Sequence, residues 1–181
     1  MSGSATNSTF SPPANDGALA EFMLTEQRRG LPPQGWRCED LLCIVVGGHP
    51  RSEIADRPLA DWMARLIRRR IAERCGGSTP LTPLVLTDFW YLNDRPLLQQ
   101  PSIVIGEPGV NAAAAHHAVR LPQMLVLEDA LRIHLDPEYP KLRACFWGAG
   151  SQRTEQAARI FADRYLDGFL DASLASVHPM A

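Results

Sequence analysis

Three times along this chain an apolar run of strand length ends in a glycine-containing turn and gives way to a helical pattern: VVGGHPRSE, VIGEPGVN and FWGAGSQRT. Strands that are apolar on every residue are covered on both faces, and such strands belong to parallel sheets. In a parallel sheet all three turns fall at the carboxyl ends of the strands, the rim where open α/β folds hold their ligands. The repeated unit therefore predicts an α/β protein, a three-layer sandwich with a mainly parallel, Rossmann-like sheet, and it puts any site on that one rim.

The elements follow from periodicity. LLCIVV is a buried strand stopped by Gly47-Gly48, and a helix over 54–74 sets Leu59, Trp62, Met63, Leu66, Ile67 and Ile71 at spacings of three and four. LVLTDFWYL reads as a second strand whose end, Phe89, Trp90 and Tyr91, is either strand or a loop packed on the sheet edge. PSIVIG is a third strand, and AAAAHHAV a short helix stopped at Pro122. MLVLED and LRIHLD are two short strands, forming either a hairpin-like excursion or one long bent strand. KLRACFW closes the sheet before a helix over 151–172, with Ser151 as its N-cap. Residues 1–36, rich in Ser, Asn and Pro at their start, read as a flexible arm with a short helix ending at Gly30, leaving 37–181 as a single α/β domain.

Composition excludes several classes of partner. With 18 basic and 20 acidic residues interspersed and a net charge of -2, no long-range field gathers a polyanion, so nucleic acid is not an expected partner. The run of Arg65, Arg68, Arg69 and Arg70 lies in a helical pattern and reads as a solvated face. Cys38, Cys43, Cys75 and Cys145 share no C-x-x-C spacing and read as small apolar residues. The chain shows neither a secretory signal nor an apolar stretch of bilayer length, and the expectation is a cytoplasmic protein without a membrane partner.

Chemistry is sparse. Glycine lets a backbone approach a ligand closely, and a helix start presents unpaired amides with partial positive charge. The predicted ligand-binding residues are therefore Gly47, Gly48, His49 and Ser52 in the first turn, Gly106, Gly109 and Asn111 in the second, and Gly148, Ser151 and Thr154 in the third. They suit a small anionic or nucleotide-like ligand, although tight strand-to-helix turns need glycine whether or not anything binds. No turn completes a dinucleotide or P-loop fingerprint, so no cofactor is named. His116 and His117, about 100° apart on a helix, cannot share a metal and read as helix surface, and no metal site is expected.

Three functions of different classes remain open. The leading one is a non-catalytic binding domain. The second is an interaction or assembly module that engages another copy, as a homo-oligomer, or another protein through the arm and an aromatic wall of Phe89, Trp90, Tyr91 and Trp147. The third is a hydrolase with His49 as general base, served by Glu53 or Asp88.

The run IVIGEPGVNAAAAH, with the later GAGSQRTEQAA, resembles the strand, Gly-Gly-Pro-x-x-Asn turn and Gly-x-x-x-x-Thr-x-x-Ala helix start of Rossmann-like domains in archaeal S-layer proteins. The likeness touches Gly106, Pro108, Asn111, Gly150, Thr154 and Ala157 or Ala158, about a third of the chain, with Glu107 standing where those proteins usually have glycine. It implies an α/β domain that need not be an enzyme.

Overall fold

The computed structural model describes residues 37–128, 130–136 and 142–177. The arm and short helix expected over 1–36 lie outside the described residues. A six-stranded sheet is built from β1 (Leu41–Val46), β2 (Thr82–Thr87), β3 (Ser102–Ile105), β4 (Gln123–Leu127), β5 (Leu131–Leu135) and β6 (Arg143–Gly148), in the order β2-β1-β3-β6-β5-β4. β2, β1, β3 and β6 run parallel, as the continuous apolar runs require: every residue of β1 and of β3 is buried. β5 runs antiparallel to both of its neighbours, β6 and β4, so the sheet is mixed rather than parallel throughout. Of the two readings of MLVLED and LRIHLD, the hairpin is the one found. Three residues separate β4 from β5, too few for the crossover that a parallel pair needs.

The helices are α1 (Pro50–Ala55), α2 (Arg57–Arg74), α3 (Asp88–Asn93), α4 (Ala112–Ala118), α5 (Ser151–Arg164) and α6 (Leu166–Val177). One face of the sheet, with Leu42, Ile44, Ile103 and Phe146, packs against Met63, Ile67 and Ile71 of α2, Phe161 of α5 and Phe169 of α6. The other face, with Cys43, Val45, Val104 and Cys145, packs against Tyr91 of α3 and Ala113 and Ala114 of α4. Alternate residues of the central strands thus feed two separate cores. The side-chain carboxylates of Asp167 and Asp171 pair with Arg70 and Arg74, which ties α6 to α2 and occupies part of the basic run.

Five local expectations are corrected. The helix over 54–74 begins four residues earlier and breaks at Asp56, because Pro50 and Pro58 each suit a first helical turn, where no amide partner is needed. The helix over 151–172 is two helices parted at Tyr165, whose φ of -122° leaves the helical range. Its N-cap is Gly150, with Ser151 the first helical residue. Phe89, Trp90 and Tyr91 are neither strand nor loop but the middle of α3. Thr87 caps that helix by accepting from the Trp90 amide, and only Tyr91 turns inward, while Phe89 and Trp90 are 75% and 57% exposed. The expected aromatic wall does not form. Trp147 stacks instead on His134 of β5, at 4.9 Å between ring centroids, three strands away from β2.

Candidate functional site

The order β1-β3-β6 brings the three glycine turns side by side at one rim. The helices after β1 and β6 lie on one face of the sheet and the helix after β3 on the other. No helix on the first face therefore stands over the end of β3. A hollow of about 270 Å³ opens there, walled by Arg51, Ser52 and Asp56 on one side, by Ser151 and Thr154 on the other, and floored by Glu107 and Val110. It has the character of a topological switch point.

The first turn has spent its donors internally. A Cβ on Gly47 would sit 1.9 Å from the Val110 carbonyl oxygen, so glycine here serves the close approach of the first turn to the second. Its amide donates to Ser52 Oγ at 3.0 Å, and that hydroxyl donates in turn to Asp56 Oδ2 at 2.6 Å. The Gly48 amide donates to Asp88 Oδ1 at 2.8 Å. His49 caps α1, its Nδ1 accepting from the Arg51 amide at 3.1 Å.

The second turn is also closed upon itself. Asn111 Oδ1 accepts from the amides of Ala113 and Ala114, and its Nδ2 donates to the carbonyls of Ile105 and Val45. Gly106, at φ +110°, has the carboxylate of Asp56 where a Cβ would stand. Gly109 faces open space.

The third turn differs. Gly148 packs against the backbone of Arg153, its amide donates to Thr154 Oγ1, and that hydroxyl reaches the carbonyls of Gly148 and Gly150. Thr154 therefore staples the turn without capping the helix. Gly150, at φ +81°, has no side chain to offer as a cap, and the amides of Ser151, Gln152 and Arg153 have no acceptor among the described residues. The start of the 14-residue α5 thus presents free donors and the positive end of a helix dipole at the wall of the hollow.

Asp56 supplies the opposite character. The residue is 6% exposed: Oδ2 accepts from Ser52, while Oδ1 takes no hydrogen bond from the described residues and is not among the buried atoms left without a partner. Burial pushes its carboxyl above the usual carboxylate range, and Glu107 adds to this, against the Ser52 hydrogen bond and Arg51. Glu107 meets the exposed Arg51 guanidinium at 3.6 Å. The crevice therefore has a donor wall at α5, an acceptor wall at Asp56 and Glu107, and a movable cation at its mouth.

The residues expected to be catalytic are placed as follows. Asp88 is a brace: its two oxygens accept from the amides of Gly48, Phe89 and Ala112, joining the starts of α1, α3 and α4. Glu53 turns to Arg57, at 2.6 and 2.7 Å, which holds its carboxyl below the usual range. His49 stands exposed and is oriented by the backbone of Arg51 rather than by a carboxylate. His116 is half-buried, but His117 is not surface: it is 1% exposed, and its Nε2 has no partner. Among the described residues no group of three or more His, Cys, Asp or Glu could hold a metal ion, and no helix is long and apolar enough to cross a membrane.

Sequence reasoning missed Asp56, which looks like one more polar residue in a helical run. The available signal was Ser52-x-x-x-Asp56, a hydroxyl and a carboxylate one turn apart, just before Pro58.

No family model, no curated protein and no solved structure matches the chain.

Proposed function

We propose that this chain is a non-catalytic binding domain for a small molecule with an anionic end and neutral hydrogen-bond donors, as a sugar phosphate or nucleoside monophosphate has. The anionic end sits on the amides of Ser151, Gln152 and Arg153, and hydroxyl groups donate to Asp56 and Glu107. The uncapped start of α5, facing across one hollow the Asp56 carboxylate, of which only Oδ2 is held by Ser52, carries this reading. Two carboxylates in the crevice repel a pyrophosphate or triphosphate chain, so a single anionic group at the α5 wall is favoured. The engagement of Asp88 and Glu53 in structural bonds, which leaves His49 without a carboxylate partner, supports binding over hydrolysis.

A thermal-shift series on the full chain with inorganic phosphate, ribose and ribose 5-phosphate tests the reading. Ribose 5-phosphate should raise the melting temperature in proportion to the logarithm of its concentration, and phosphate or ribose alone should do so only weakly. Asp56→Asn should remove the advantage of ribose 5-phosphate over phosphate. A series in which none of the three probes shifts the melting temperature at millimolar concentration would refute the reading.

A further inference from the structure

A second hollow, of about 380 Å³, continues the first along the groove between α2 and α5, and the two share Ala55 and Ser151 as lining residues. Its walls differ in kind. α1 and α2 contribute Ala55, Pro58, Leu59 and Trp62, an apolar side, while α5 contributes Gln152, Glu155 and Arg159, a polar one. Each hollow alone is at or near the lower limit of small-molecule sites, roughly 300 to 1,000 Å³, but joined they lie well inside that range.

The geometry over Trp62 is specific. The Arg159 guanidinium carbon stands 5.8 Å from the centre of the indole ring. At this distance the guanidinium makes a cation–π contact with the indole face and covers it, so Trp62 is reached from the hollow only when Arg159 moves aside. Arg159 is mostly exposed and is held only by Glu155 one turn earlier, at 2.7 and 3.1 Å. Displacement of that one surface side chain opens a slot over the indole face, which the guanidinium then closes from above. Trp62 itself is half-buried, packed against the core of the first sheet face, and forms the fixed side.

We infer that the Trp62–Arg159 slot is a subsite for a planar heteroaromatic ring, such as a nucleobase, belonging to the same molecule whose anionic end meets α5. This inference rests on the proposed function and narrows its ligand from sugar phosphates in general to nucleoside monophosphates. Apolar contact with Leu59 and Pro58, stacking on Trp62 and a cation above the ring supply affinity without base-specific hydrogen bonds, so discrimination among bases should be weak.

Calorimetric titration of the full chain with adenosine 5′-monophosphate and ribose 5-phosphate tests it. The nucleotide should bind at least tenfold more tightly than the sugar phosphate. Trp62→Ala should bring the nucleotide down to the affinity of the sugar phosphate while leaving the latter unchanged, and Trp62→Phe should keep most of the difference. Because Trp62 also packs on the core, Arg159→Ala serves as a second variant at a mostly exposed side chain, and it should weaken the nucleotide several-fold without altering the fold by circular dichroism. Equal affinities for the two probes, or a nucleotide advantage indifferent to both Trp62→Ala and Arg159→Ala, would overturn the slot while leaving the anion site standing. Failure of both probes to bind would overturn the two together.

Discussion

The turns after β1 and β6 are nearly alike in composition, GGH and GAG, yet one is closed and the other open. After β1, His49 caps the helix and Asp88 and Ser52 take the two glycine amides. After β6, Thr154 is spent on the turn itself and Gly150 leaves the first three amides of α5 free. Glycine content is shared because both turns need close backbone approach; ligand capacity is not, because it depends on whether a capping side chain follows the glycine. The two properties can be separated by mutation.

The largest effect belongs to the shared property. Gly47→Ala and Gly148→Ala each drive a Cβ into backbone, at 1.9 Å from Val110 and 2.4 Å from Arg153. Each should cost about 3 kcal/mol or more, lowering the melting temperature by roughly 10 °C, whereas Gly109→Ala, with open space around it, should leave it nearly unchanged. Equal tolerance at all three positions would remove the packing account of the glycines.

A second effect contrasts the rim of the glycine turns with the opposite end of the sheet. His117 is buried beside Tyr91 and Arg143, with His116 and Arg120 nearby, and burial, reinforced by the cationic neighbours, lowers its pKa from 6.5 to about 4. Its proton then binds better in the unfolded chain. Stability should be intact above pH 6.5, fall as pH drops from 6.5 towards 4, and level off below, by up to about 3 kcal/mol. His134, also lowered by burial, contributes to the same window, so the test is the difference between the wild type and His117→Asn in chemical unfolding at pH 7 and pH 4.5. A variant with the same pH slope as the wild type would contradict this assignment.

The smallest effect returns to the caps. His49→Ala should cost on the order of 1 kcal/mol through the lost Nδ1 cap, but it frees only the Arg51 amide, because Pro50 has none and the Ser52 amide is bonded to the His49 carbonyl. Phosphate protection against heat should therefore match that of the wild type in this variant; an increase would mean that a single freed amide is enough on this rim.

Much of the scaffold was legible because burial on two faces leaves an unmistakable mark. LLCIVV, SIVI and the RACFW portion of β6 are strands wherever they occur, and their glycine stops placed the rim. α3 was not legible. Its Phe-Trp-Tyr run carries the composition of a strand, and only the Thr87 cap, worth little in isolation, turns it into a helix whose Tyr91 reaches Ser102 in the core. The site was half legible. Glycine marks the turns, but which turn has free amides depends on caps formed in three dimensions, such as Asp88 reaching 40 residues back to Gly48. Asp56 and the buried His117 were hidden for a related reason, since a polar residue in a helical run reads as solvent-facing until the packing of its neighbours is known.

The central claim is that small-molecule binding on this rim is confined to the crevice at the start of α5. Backbone amide resonances of the full chain, followed during titration with ribose 5-phosphate, test it most directly. The amides of Ser151, Gln152 and Arg153 should move together and saturate, while those of Arg51, Ala113 and Ala114, already bonded to their caps, should stay in place. Saturable shifts centred on the starts of α1 or α4, with α5 unmoved, would contradict the account.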